Sequence, residues 1–437
     1  MTAWKNVEIG DFLTERTGRY KPDDSAIAGY RRLDKIDFSG KIHISDKPTK
    51  TDMILIQKGD FVISGINVAK GALTVYNDNE PLCATIHYSS YIFDSSKVDM
   101  EYFTYFVKSP VFHEMLKKQV KGGIKTEIKA KHLLSLIIAI PSLADQKKIV
   151  REISAKYKMV NALKKETANQ REYAKLLRQN ILQEAVEGKL TAEWRKIHPV
   201  QAGNPDFDAE ALFVKIQEEK LQGKVVNSNH LAAITEEKMP FVIPEGWKWV
   251  RLGDVCESRL GKTLNNATDR GEMKPYLCSI NVYWEGINLN SVKYAKFSPE
   301  EIKKYRLHRN DLLVCEGGDC GRTAIWNSAE EMYFQNALHR ISFFGKISPF
   351  FFKNVMELYK ANGNIENHSK GMGIKHLVQK ELLSLTFPLP PFDEQKEIVR
   401  KTEYLLNIVA ELENQIQECK ALSEQLIFGI LKDAFEE

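Results

Sequence analysis

The chain has 437 residues, 43% of them hydrophobic and 27% charged, with a formal net charge of +4. This length predicts two or three domains, each large enough to bury its own core. A balance of +4 is too small to establish a nucleic-acid partner by itself, so local charge has to decide.

Residues 1–142 open with mixed, strand-rich sequence. Phe61-Val62-Ile63 and Tyr91-Ile92-Phe93 are short β-type runs bounded by Gly, Asp or Ser. A helical patch follows at Glu101–Lys118. From Lys117 to His132 six lysines stand against Glu127 alone, around Gly122-Gly123. Leu133–Ile140 is the longest strongly apolar run and is far too short to span a bilayer. A Pro141-Ser142 turn closes the region. Met1-Thr2-Ala3-Trp4-Lys5 has no apolar signal core, and the six cysteines are scattered. A cytoplasmic protein with reduced thiols and no membrane segment is expected.

Composition then changes sharply. From Asp145 to about Glu187 there is no Pro or Gly. Ile149, Ile153, Val160, Leu163, Ala174, Leu177 and Ile181 fall on one alternating four–three spacing, which predicts a long helix with a heptad seam over 143–190. Residues 191–243 read as a linker, with a short helix at Asp208–Leu221 and a polar stretch at Gly223–Met239. A second strand-rich region occupies 244–391, with β-type runs at Leu312–Val314 and Ile341–Phe344, a helical patch at Phe350–Ala361 and a turn at Pro390-Pro391. A second long helix is predicted over 392–437. Its seam holds Ile398, Leu405, Val409, Leu412, Ile416, Cys419, Leu426 and Ile430. Some seam slots are polar: Lys156, Thr167 and Gln170 in the first helix, Thr402 and Ser423 in the second.

The two halves repeat each other. Leu133-Leu134-Ser135-Leu136…Ile140-Pro141…Gln146-Lys147…Ile149-Val150-Arg151 returns as Leu382-Leu383-Ser384-Leu385…Leu389-Pro390…Gln395-Lys396…Ile398-Val399-Arg400, at a constant offset of 249 residues. Trp4-Lys5…Val7…Gly10-Asp11 returns from Trp247 at an offset of 243, and Lys58–Ile63 returns as Arg309–Val314 at 251. Domain-sized copies are not solenoid units. They predict two similar modules that engage two similar targets, or one target of pseudo-two-fold character. Lys147–Arg178 carries a net charge of +7 and Lys396–Lys432 one of −1, so the two helices are expected to pair with each other and leave their outer faces for a partner.

No catalytic signature survives inspection. Gly261-Lys262-Thr263 resembles the end of a phosphate-binding loop, but the required earlier glycine is Cys256. Asn204-Pro205-Asp206-Phe207 lacks the second proline of an adenine-methyltransferase loop. Cys315 and Cys320 have no second close pair or His pair to complete a zinc site, and copy one has Ser64 opposite Cys315.

What remains is binding chemistry. Lysines beside glycine pairs suit phosphate, since ammonium and backbone N–H groups both approach closely. Lys121 and Lys125 fill that role in copy one, and Lys370 and Lys375 in the matching His368–His376 stretch. The segment after each Trp–Gly-Asp opening supplies Arg16, Arg19 and Lys21 in copy one, and Arg259, Lys262 and Thr263 in copy two. Arg322, in Glu316–Arg322, faces Ser64–Gly71 with its Lys70. Arginine reads guanine bidentately and Thr or Asn reads other base edges.

These stretches resemble the specificity subunit of type I restriction–modification systems, over the whole chain. Pro244-Glu245-Gly246-Trp247-Lys248-Trp249-Val250-Arg251-Leu252-Gly253-Asp254 looks like that family's opening of a target recognition domain. Pro388–Val399 looks like the start of its spacer helix, and Ile181–Leu190 like that helix's end. Glu316-Gly317-Gly318…Gly321-Arg322 and Gln335-Asn336…Leu338-His339-Arg340 match as well.

The resemblance implies an α+β fold with an internal pseudo-two-fold repeat. Two similar globular target recognition domains, 1–142 and 244–391, would be separated by two long antiparallel coiled-coil spacer helices, 143–190 and 392–437. It implies a non-catalytic subunit that reads a bipartite, asymmetric site on double-stranded DNA. Two methyltransferase subunits would dock on the spacer, at Gln146, Ile149, Gln395 and Ile398 among others. S-adenosylmethionine would sit on those subunits, and ATP with Mg on restriction (motor) subunits; this chain would hold no cofactor and no metal. The alternative is a solitary two-module DNA-binding or scaffold protein without methyltransferase partners.

Overall fold

The computed structural model describes residues 4–45, 47–67, 71–119, 133–222, 234–235, 239–265, 267, 269–371 and 375–436. The chain forms two compact units, Met1–Gln170 with Ile416–Glu437, and Arg171–Gln415. Each unit combines one strand-rich domain with parts of both long helices. The boundary between units therefore cuts across the expected segments rather than following them.

In the first unit a two-stranded ribbon pairs Lys5–Glu8 with Ile137–Ile140, antiparallel, with Lys5 opposite Ile140. A four-stranded sheet has the order Leu13–Glu15, Tyr88–Phe93, Phe61–Ser64, Leu73–Val75, antiparallel throughout. A second has the order Ile42–Ser45, Arg31–Ile36, Leu82–Thr85, Met53–Ile56. The apolar sides of the first sheet and ribbon meet Phe12, Phe61, Phe103, Phe106 and Phe112 in one core. Ring pairs such as Phe12–Phe103, at 5.2 Å and edge-on, fill it with the geometry aromatic quadrupoles prefer. The patch predicted as one helix over 101–118 is two, Met100–Val107 and Pro110–Gln119. Pro110 cannot donate to a continuing helix, and Ser109 caps the new one by accepting the Phe112 N–H at 3.2 Å.

The second unit repeats the plan. Its ribbon pairs Lys248–Arg251 with Thr386–Leu389. Its four-stranded antiparallel sheet runs Cys256–Leu260, Leu338–Phe343, Asp311–Cys315, Thr323–Trp326. A three-stranded sheet of Lys293–Phe297, Glu272–Leu277 and Tyr333–Phe334 adjoins it. Helix Pro349–Ala361 starts at Ser348, whose hydroxyl accepts the Phe351 N–H. The linker helix spans Ala209–Gln222, one residue from its expected place, and a short helix at Ala192–Ile197 precedes it. Most of the predicted polar stretch 223–239 lies outside the described residues.

Each long helix has 44 residues, Leu143–Val186 and Phe392–Phe435. Within the first unit the start of one helix shares a core with the end of the other: Val150, Ile153 and Val160 pack with Ile430, Leu431 and Phe435. Within the second unit the end of the first helix (Leu182, Ala185, Val186) packs with Ile398 near the start of the second. Both arrangements are antiparallel. Burial follows a seven-residue step, half-filled only at Ile416: Ile153, Val160 and Thr167 with Ser423 and Ile430 in the first unit, Ala174 and Ile181 with Thr402 and Val409 in the second. Of the polar members of this row, Thr167 and Ser423 turn their hydroxyls onto their own helix, donating to Leu163 O and Lys420 O, whereas the buried Thr402 hydroxyl makes no hydrogen bond among the described residues.

The expected seam had two apolar rows, and over most of the helices only this one is buried. In the other row Leu163 and Leu426 of the first unit are 44% and 50% exposed, and Leu177 and Leu412 of the second unit remain exposed too.

Candidate nucleic-acid interface

In the second unit the three segments singled out after the opening, at 316–322 and at 368–376 come together beside the four-stranded sheet. Backbone hydrogen bonds tie them: Gly261 N–H to Leu338 O, Asn336 N–H to Lys262 O, Glu316 N–H to Ala337 O and Leu377 N–H to Glu316 O. Gly261 is required here because a Cβ would lie 2.3 Å from the Gln335 carbonyl carbon. Gly321 has φ of +81°, and a Cβ on it would meet Ile365 Cγ2 at 2.6 Å. The surface so assembled exposes Thr263, Gly318, Lys370, Gly371, Lys375 and His376, with Gln335 and Asn336 half-exposed. Hydroxyl, amide, imidazole and ammonium groups crowded on one face match what phosphates and base edges accept.

Lys370 is exposed and pairs with Glu381 at 2.7 Å, which holds that carboxyl below its ordinary pKa. Lys375 is exposed and donates to Glu366 O at 3.4 Å. Gln335, Asn336 and His376 were not among the expected contact residues. Gln335-Asn336 was visible as a motif, but only the folded loops put it beside Thr263.

Lys262 is a correction. It is 2% exposed, lies 2.6 Å from Glu301 and 3.2 Å from Asp269, donates to Lys296 O and sits 4.8 Å from the centroid of the Phe297 ring. Its ammonium is committed inside the fold and is not a DNA contact. Arg322 is also drawn inward: it donates to Ser279 O at 2.7 Å with its guanidinium 5.0 Å from the Tyr283 ring. Arg259 is half-buried and pairs with Glu257 at 2.9 Å.

In the first unit Arg16 is likewise structural. It grips Asp60 with two hydrogen bonds, at 2.6 and 2.7 Å, and that carboxylate raises its pKa. Asp60 also accepts from Ser90 Oγ and Gln57 N–H. Its repeat counterpart Asp311 accepts from Ser342 Oγ and His308 N–H, with Arg340 alongside. Arg19 is exposed, and Lys21 is exposed and paired with Asp52 at 2.8 Å. Lys70, Lys121 and Lys125 lie outside the described residues.

The expected partner-binding residues are mostly interior. Gln146, Gln395 and Ile398 are 0–1% exposed and hold the fold together, while Ile149 is half-buried against the first core. Cys315 and Cys320 are both buried; burial pushes the Cys315 thiol up to about 11, and Cys320 Sγ meets Ser369 Oγ at 3.2 Å. No helix among the described residues is long and apolar enough to cross a membrane.

Residues 1–172 and 244–419 match the family model of the type I restriction modification DNA specificity domain. The chain is similar to the specificity subunit of the type I restriction enzyme EcoAI of Escherichia coli, at 26% identity over 56% of this chain and 42% of that one. It is similar to the EcoKI specificity subunit of Escherichia coli strain K12 at 22% identity, over 76% of this chain and 64% of that one. It thus spans less than two thirds of the length of these two relatives. In fold it is similar to a chain from a structure on complex assembly and conformational transition of the type I R-M system, with a TM-score of 0.70, 16% identity, and 100% and 98% of the two chains covered.

Proposed function

We propose that this chain, which belongs to the type I restriction modification DNA specificity domain family, is the sequence-recognition subunit of a type I restriction–modification complex. Each strand-rich domain reads one half of a bipartite, asymmetric site on double-stranded DNA. The observation that carries this reading is the convergence of Thr263, Gln335, Asn336, Lys370, Lys375 and His376 from three separate stretches of chain tied by backbone hydrogen bonds. The chain itself supplies recognition and no chemistry.

The long helices carry the second half of the reading. Their exposed apolar row, Leu163, Leu177, Leu412 and Leu426, offers surface that partner helices would cover. Two methyltransferase subunits dock there, bring S-adenosylmethionine, and methylate an adenine turned out of the duplex. Restriction subunits bring ATP and Mg, and the assembly works in the cytoplasm.

The test is reconstitution. Mixed with a methyltransferase subunit of a type I system, the chain should form a stable complex that binds one DNA sequence in preference to scrambled DNA. A chain that binds that sequence without any methyltransferase partner, and forms no complex with one, is instead the solitary DNA-binding protein.

A further inference from the structure

In the second unit the segment after the first long helix, which has no counterpart in the repeat, is built into the domain. Glu394 is 1% exposed and accepts hydrogen bonds from Trp247 Nε1, Thr191 Oγ1 and Arg195. Further along, Asp206 pairs with Lys346 at 2.9 Å and Glu210 with Lys248 at 2.6 Å, and the Lys248 ammonium lies 5.2 Å from the centroid of the Phe213 ring. Pro205 O and Asp206 O accept the N–H groups of Phe392 and Asp393, at the start of the second long helix. Leu212 and Ile216 are buried in the core.

The first unit has the same receptor and nothing described in it. By the repeat offsets Lys5 stands for Lys248, Lys97 for Lys346 and Leu143 for Phe392. With Val7, Ile140 and Pro141 these residues line an open cleft of about 650 Å³. Lys5 is exposed, and Leu143 is 37% exposed. Lys97, without the Asp206 contact, donates to Asp11 O at 2.7 Å and lies 3.5 Å from Asp94, with more than half of its side chain exposed.

We propose that this cleft is the seat of a short amphipathic helix from a partner protein, with one carboxylate in the turn that leads into the helix, a second in its first turn and an aromatic residue three positions on. That is the pattern Asp206, Glu210, Phe213 presents to the homologous receptor. The carboxylates pair with Lys97 and Lys5, and the apolar side covers Leu143 and Val7. A second copy of this chain is disfavoured as the occupant. Its own 191–222 segment would have to leave Glu394 buried without its arginine. The inference goes beyond DNA recognition and stands on the repeat geometry alone.

The probe is a fluorescent, hydrocarbon-stapled peptide of residues 199–222, titrated against the full chain by anisotropy. The stapling removes the ordering cost that leaves short isolated helices marginal. Saturable binding is expected, weakened at least tenfold by Lys5→Glu and by Leu143→Asp. Both positions are exposed, so the variants should keep the wild-type melting temperature. A photocrosslinker in place of Ser142, exposed on the rim of the cleft, should capture the peptide. No saturable binding, binding indifferent to both variants, or crosslinks confined to the second unit would overturn the proposal. Self-association of the chain that the same variants abolish would also overturn it, by making a second copy the occupant.

Discussion

Gln146 and Gln395 do the same work 249 residues apart. Gln146 donates to Pro141 O at 2.9 Å and accepts the Asp99 N–H at 2.8 Å; Gln395 donates to Pro390 O at 2.9 Å and accepts the Ser348 N–H at 2.8 Å. Asp99 and Ser348 are the N-caps of equivalent helices. Each glutamine therefore locks the start of a long helix to a helix of its own domain.

Gln395→Ala should lower stability by about 1–3 kcal/mol, because it leaves a buried N–H and a buried C=O without partners. Urea unfolding checks this. A neutral result at both Gln146 and Gln395 would remove them from the fold's framework.

Lys262 and Lys375 should separate cleanly. Lys262→Met leaves Glu301 and Asp269 without their buried cation and should destabilise the fold by about 3 kcal/mol, with no change in the salt dependence of DNA binding. Lys375→Ala and Arg19→Ala should leave stability within about 0.5 kcal/mol. If each touches a phosphate, each should reduce the slope of log K against log salt by about 0.9. A salt-slope change on Lys262→Met would contradict its structural assignment.

His339 makes stability pH-dependent. It is fully buried, donates Nε2–H to Leu377 O, and burial lowers its pKa from the ordinary 6.5. Folding thus favours the neutral ring, while the unfolded chain takes up a proton below about pH 6.5. Stability should be full above that pH and decline as pH falls below it, by at most about 1.4 kcal/mol per unit. His339→Gln should flatten that decline; an unchanged profile would show that other groups cause it.

Much of this was legible in sequence because it is local or periodic. Both long helices and the linker helix follow from repeats, breakers and apolar spacing, whereas the ribbon joins two distant ends of a domain and was not expected. The site was less legible because burial of a charge is decided from afar. Gly261-Lys262-Thr263 looks like an exposed basic loop until Glu301, 39 residues on, reaches it. Gln146 and Gln395 looked like surface contacts because only the tertiary fold brings Asp99 and Ser348 to them. The heptads predicted two buried rows, and over most of these two helices only one is buried.

The seven-residue burial step makes a length change testable. Seven residues inserted at matched positions in both helices would preserve the buried row and add about 10 Å. The two half-sites should move apart by roughly 3 bp. An active variant with unchanged half-site spacing would show that the helices do not set the gap.

The most direct measurement is a map of N6-methyladenine in DNA from cells that co-express this chain and a methyltransferase subunit of a type I system. The expected map shows one asymmetric motif of two specified halves around an unspecified gap. Replacing residues 244–391 with the matching domain of another family member should change one half and leave the other intact. Methylation without such a motif, a motif indifferent to that exchange, or methyl transfer by this chain alone would contradict the account.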